Sequence, residues 1–399
     1  MVRERHPVDV HLLIAVALLV ACGILFIYDA SFVRASQTHY THFDPEYFLK
    51  RQAMWACIGA VALLLAAIFP YWKLDRLAVV GIAVAVLMLV VVLVAGHTSH
   101  GAKRWFALGP VRLQPSEFAK LAMVLFLARW IAVHQKRLRR LKEGFIPLAT
   151  LPVLLAALIA VEPDLGTALV VMGTGAMMLY LGGARKRHLA LLAASGVVAV
   201  VGLILAEPFR LERIRAWSDP SHDAQGSGYQ VLHSLIALGS GGPFGVGLGQ
   251  GRQKYFYLPA EHTDYILGTI GEELGLLGTM GVLFLFLYLV VRGFTIAHRT
   301  KDPFGSLLAS GLSSLIAVQA LLNIAVVTKT VPPTGVPLPF ISYGGSSLVF
   351  TMIAIGLLVN ISQYPVPPRA TKQTGKDGNE DLTDRRRDGR AYLSGARGR

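Results

Sequence analysis

Charge is what this chain has least of. Of 399 residues only 24 are acidic, and charged residues of both signs make up 16% against 54% hydrophobic. Soluble globular domains carry about 25% charged residues, so this composition excludes one. Cysteine is nearly absent as well. Cys22 and Cys57 both fall in apolar runs, which leaves no disulfide framework and no metal-ligand spacing. No segment recurs with a period of about 20 to 50 residues, which excludes solenoid and propeller arrays.

What the chain has instead is long apolar runs. Stretches of about 18 residues or more recur from near the N-terminus to about residue 362, each long enough to cross a bilayer as a helix. The expected fold is an all-α integral membrane domain of about ten transmembrane helices, residues 1–364. Its spans are placed at 11–32, 52–70, 75–95, 116–133, 145–161, 165–182, 188–206, 264–291, 304–328 and 345–362. A large extracytoplasmic loop, 207–263, separates spans seven and eight. Leu19-Val20-Ala21-Cys22 resembles a lipoprotein cleavage site, but the apolar run continues past it and an uncleaved first helix is expected.

The formal charge of +14 is topological rather than a nucleic-acid signature. Arg3, Arg5, Lys136 to Lys142, Arg185 to Arg187, Arg292 to Lys301 and the tail all fall on the N-terminal face. That face collects about 24 basic residues against about 12 opposite, so both termini are expected in the cytoplasm. Residues 365–399, with Arg385-Arg386-Arg387, read as a disordered basic cytoplasmic tail that contacts solvent or lipid headgroups.

Carboxylates inside such a chain are conspicuous because an unpaired charge in hydrocarbon is costly. Asp264 stands where the polar segment Glu261-His262-Thr263-Asp264 enters an apolar helix. Behind it Gly268, Gly271, Gly275 and Gly278 share one helix face. That smooth strip serves either close helix packing or a groove for a lipid tail. Glu272 and Glu273 lie in the same span, and one of them needs a buried partner. Glu117 and Lys120, three residues apart, can pair with each other or line a polar cavity. Lys103, Arg104 and Arg112 concentrate cations outside, a candidate pyrophosphate clamp. In Glu162-Pro163-Asp164, Asp164 is placed to cap the following helix.

Two stretches need separating from familiar motifs. Gly239 to Gly251, GSGGPFGVGLGQG, imitates a nucleotide loop but lacks the strand and helix that such a loop needs. Close backbone approach accounts for its glycines. Lys254-Tyr255-Phe256-Tyr257 sets a cation beside aromatics, which suits a sugar phosphate or an interfacial belt. Lys329 to Gly344 carries four prolines around Gly335, and irregular backbone at a membrane requires cover by protein or a wet cavity.

Taken in order, QPSEFAKL, EPDLGT, SGYQ with GLGQGRQK, YLPAEHTDYILGTIGEELG and PLPFISYGGSS resemble the SEDS family (shape, elongation, division and sporulation proteins) nearly to Ser362. Gly247-Leu248-Gly249 with Gln253-Lys254 and Tyr257-Leu258-Pro259 is similar to the division branch. Pro332 to Pro337 lacks a lysine that many division members carry there. The resemblance implies a peptidoglycan glycosyltransferase that polymerises lipid II on the outer face of the membrane, with a class B penicillin-binding protein and other divisome proteins as partners. It implies Asp264 as the catalytic aspartate, because that residue matches the family's HTD motif.

The chemistry agrees, since a diphosphate is already a good leaving group and one general base suffices to deprotonate the acceptor hydroxyl. Candidate substrate-binding residues are Arg104, Glu117, Lys120, Arg213, Arg215, Lys254, Glu261, His262 and Ser342. Among them Arg104, Arg213, Arg215 and Lys254 are the cations available to a departing undecaprenyl diphosphate. His262 reads chiefly as a hydrogen-bonding residue at the helix entry that positions Asp264. The family implies Mg²⁺ or Mn²⁺ and no nucleotide, although no ligand set is legible beyond Asp264 and Glu261. Two other readings stand beside the enzyme. One is a lipid II flippase, which calls for inverted repeats with broken helices, a symmetry the sequence does not display. The other is a non-catalytic scaffold for the penicillin-binding protein.

Overall fold

The computed structural model describes residues 5–99, 102–108, 111–220, 228–255, 257–258 and 261–364. The tail expected at 365–399 lies outside the described residues. Helices cover all ten expected spans: α1 (Val10–Gln37), α2 (Tyr47–Ile68), α3 (Tyr71–Ala95), α4 (Pro115–His134), α5 (Ile146–Val161), α6 (Leu165–Leu181) and α7 (Lys186–Ala206) in the first half. Two shorter helices, α8 (Pro208–Ser218) and α9 (Tyr229–Ser240), precede α10 (Ile266–Arg299), α11 (Pro303–Val327) and α12 (Gly345–Ser362). Eight helical segments among the described residues, α5 being taken with the helical turn Leu141–Phe145 that leads into it, are long and apolar enough to cross a membrane, so the chain is a multi-pass membrane protein. Of the other two, α4 carries Glu117, Lys120 and Arg129, and α6 is only 17 residues long.

The helices begin where the chemistry of their ends predicts. Asp9 and Asp302 accept from backbone N–H groups in the first turns of α1 and α11, and Pro303 occupies the first position of α11. At one end of the bundle His6 N donates to Gln363 O at 2.9 Å, and Arg292 of α10 pairs with Asp9 at 2.6 Å. Residues 6 and 363 therefore lie at the same end, so the chain crosses an even number of times. Small residues allow α2 and α12 to approach closely: a Cβ on Gly356 would collide with the Leu63 carbonyl.

Two features of the fold differ from expectation. The loop 96–115 contains a small antiparallel sheet of β1 (His97–Ser99), β2 (Ala102–Leu108) and β3 (Val111–Leu113), so the fold is not purely helical. The α10 helix is also not continuous, because Gly275 takes φ 67° and ψ −162° and kinks it. That backbone conformation is open essentially to glycine alone.

The glycine-rich segment 241–251 fills the kink. Gly242 O and Pro243 O accept from Leu276 N (2.8 Å) and Leu277 N (3.1 Å), while Gly247 N donates to Glu273 O (3.1 Å). The glycine strip along α10 is thus cut at Gly275. Its upper part is packed, since Gly268 faces Ala237 and Ser234 and Gly271 faces Leu238, all of α9. Close packing accounts for these glycines, and α9 occupies the space a lipid tail would need.

Candidate active site

The turn 261–265 is bound on one side by the loop 329–344, whose residues Val336, Leu338, Phe340 and Ile341 are buried in protein as irregular backbone at a membrane requires. Tyr343 N donates to His262 O at 3.0 Å, and Ser342 Oγ donates to Thr263 O at 2.6 Å while accepting from Leu338 N at 2.8 Å. Ser342 thus ties two backbone segments together. The His262 ring sits 4.7 Å from Phe48 and 5.8 Å from Tyr343, which fixes the residue two before Asp264. Glu261 is fully buried and engaged by Arg34 of α1 at 3.2 Å. Its charge is neutralised within the protein.

Asp264 itself is half-buried at the head of α10. Burial and the nearby Asp164 carboxylate raise its pKa well above the ordinary carboxylate range, to about 6, against the opposing pull of Arg213, His262 and Arg104. Those neighbours arrive from separate elements. Asp164 caps α6 as expected, accepting from Thr167 N at 3.0 Å, and also accepts from Gln114 Nε2 at 3.3 Å. Arg104 of β2 donates through Nε to Glu162 O at 2.8 Å and through Nη2 to Pro163 O, so it grips the turn that presents Asp164. Arg213 of α8 donates to Pro333 O at 3.3 Å, and Arg215 of the same helix is exposed.

Glu162 escaped the sequence reading. It is buried beside Asp164, and among the described residues neither carboxylate oxygen has a hydrogen-bond partner. Burial, then Asp164, push its pKa up to about 8, with Arg104 opposing, so at neutral pH it is largely an uncharged acid.

Lys254, a candidate substrate cation, is placed in a buried ion-pair cluster. It is 5% exposed, and its ammonium lies 2.7 Å from Asp29 of α1 and 3.0 Å from Glu273. Both glutamates of α10 serve the same lock. Glu273 accepts from Gly249 N and Gly251 N, and Glu272 accepts from Arg252 N and Gln253 N, at 2.8 to 3.2 Å. Four backbone donors and one ammonium thereby satisfy two carboxylates that hydrocarbon would otherwise penalise.

Glu117 and Lys120 pair at 2.9 Å, both 3% exposed, and Lys120 also reaches Gln319 of α11 at 2.8 Å. The same two residues line a small crevice with Gln319, Pro339, Phe350 and Thr351, so pairing and cavity lining coexist. Among the described residues no group of three or more His, Cys, Asp and Glu side chains could hold a metal ion. The described residues therefore form no protein-only cage for the divalent ion that the family resemblance implies.

Comparisons with known proteins place this architecture. The model of the cell cycle protein family that comprises FtsW, RodA and SpoVE matches residues 10–365. Stage V sporulation protein E of Bacillus subtilis (strain 168) is 40% identical over 366 residues, which cover 91% of this chain and 99% of that protein. A probable peptidoglycan glycosyltransferase FtsW of Trichlorobacter lovleyi is 41% identical over 374 residues, with 92% and 96% covered. Among solved structures, a chain from a peptidoglycan synthase complex that coordinates polymerization and crosslinking superposes with TM-score 0.75 at 29% identity, covering 90% of this chain and 99% of that one. The rod shape determining protein RodA of Thermus thermophilus superposes with TM-score 0.64 at 28% identity, covering 90% and 98%. The chain belongs to the FtsW/RodA/SpoVE family of cell cycle proteins, the SEDS family.

Proposed function

We propose that this protein is a peptidoglycan glycosyltransferase that polymerises lipid II into β-1,4 glycan strands at the outer face of the bacterial cytoplasmic membrane, with Asp264 as general base. The observation that carries the reading is the convergence of Asp264, Arg104 and Arg213, from the head of α10, β2 and α8, at the end of the bundle opposite residues 6 and 363. An ionised Asp264 takes the proton from the acceptor sugar's 4-hydroxyl as its oxygen bonds to the donor's anomeric carbon. The bond from that carbon to the diphosphate breaks with inversion, and undecaprenyl diphosphate leaves with the electron pair. Arg104 and Arg213 supply the positive charge that a departing diphosphate needs. Burial keeps Asp264 basic enough to accept a proton at neutral pH yet ionised there.

Both termini are assigned to the cytoplasm, all ten long helices to the membrane, and the site to the extracytoplasmic side. A class B penicillin-binding protein is the expected partner, and the division septum the expected place of work. The deciding experiment is polymerisation of purified lipid II by Asp264→Asn protein, with folding and partner binding verified. Loss of glycan strands is expected. Retained synthesis removes Asp264 as the base, and an inactive wild type that still binds its partner favours a scaffold.

A further inference from the structure

Apart from four serines whose hydroxyls donate to backbone carbonyls, the α11 helix is apolar except for a pair of amides. Gln319 and Asn323, one turn apart and 2% and 1% exposed, lie on the same helix face. A leucine would suit the bilayer better at either position, because a buried amide is tolerated only where it finds partners. Asn323 Nδ2 donates to the Asp264 carbonyl at 2.8 Å and to the Val336 carbonyl at 2.8 Å, while Gln319 Nε2 donates to the Pro337 carbonyl at 3.1 Å. Among the described residues Asn323 Oδ1 has no hydrogen-bond partner, so the side chain's polar function lies in its two N–H groups.

Those two bonds join different walls of the site. One holds the backbone of Asp264, and the other holds the residue after Gly335. Gly335 takes φ +73°, and a Cβ added there would lie 3.5 Å from Asp264 Oδ2, so this stretch of loop borders the carboxylate. Two residues earlier, Pro333 O receives Arg213. We propose that Asn323 is a positioning residue that sets the gap between the Asp264 carboxylate and the loop that accepts from Arg213, a role that rests on Asp264 being the base. It touches no reacting atom and acts through the backbone of both walls.

Asn323→Leu keeps the side chain's size and removes both donors. Steady-state kinetics of lipid II polymerisation by the full-length protein are expected to show kcat lowered about 10- to 100-fold, because a shift of about 1 Å in a reacting group has that effect, with KM within about twofold. The low-pH limb of kcat is expected to move downward as the released carboxylate gains water. A purely structural role would lower the folded fraction and leave both the limb and the per-molecule kcat of folded protein unchanged, which overturns the proposal. Asn323→Ser covers the case in which the leucine variant does not fold, because one hydroxyl cannot reach both carbonyls and the same kinetic signature is expected. Wild-type kcat in folded Asn323→Ser, beside an inactive Asp264→Asn, sinks the positioning role alone. Activity in Asp264→Asn sinks the base on which it rests.

Discussion

The ionisation of Asp264 ties the electrostatics of the site to a measurable rate. As a base it must be charged, and burial with Asp164 beside it sets that ionisation at about 6. Polymerisation should therefore rise with pH through that value and level off above it. Asp164→Asn removes the neighbouring negative charge but keeps an oxygen to accept from Thr167 N, now at 3.0 Å, so α6 stays capped. Asp264 then ionises at lower pH. Burial is the larger cause of the raised value, so only part of the elevation is lost. A fall of about half a pH unit would roughly double the charged fraction at pH 5.5 and change it by less than about a tenth at pH 7. Arg213→Gln acts in the opposite sense, since Arg213 pulls the Asp264 pKa down, and its limb should move up. Initial rates with purified lipid II at constant ionic strength, each variant normalised to its own plateau, read both shifts. A limb that stays put in both variants, or moves the same way in both, refutes the electrostatic account of the site.

Two further expectations concern the lock around the α10 kink. Lys254→Met leaves Asp29 and Glu273 without their shared ammonium; removing one partner of a buried ionic cluster costs about 3–5 kcal/mol, read as a lowered unfolding temperature in detergent. Unchanged stability with a raised KM would instead point to substrate binding by Lys254. Gly275→Ala forces a side chain into a backbone conformation that costs on the order of 1–3 kcal/mol and drives its Cβ into Gly245 N. A drop in folded yield and thermal stability is expected, and wild-type stability would show that the kink is not held as described.

The membrane helices were legible because hydrocarbon leaves a chain little choice: every backbone group must be satisfied within the segment, and length and hydropathy then mark the segment. Even α4, with three charges, was found from its apolar remainder. Inside the loop 207–263 that constraint weakens, and α8 and α9 went unread. A signal for α9 existed, since Val231, Ser234 and Ala237 recur every third residue and all face inward. The run is short, and its partners on α10 and α11 lie far along the chain.

The amino-acid order by itself determined the solvent, the ten long helices, the cap at Asp164 and the placing of Asp264 at the mouth of a span, because each follows from groups within a turn or two of one another. Which polar side chains remain for a substrate was decided in three dimensions. Lys254 meets Asp29 across 225 residues, Ser342 reaches Thr263, and Asn323 reaches Asp264. A buried cation or amide has no fixed role until a partner arrives, and in a low-dielectric interior the partner that arrives determines whether it is a lock or a ligand.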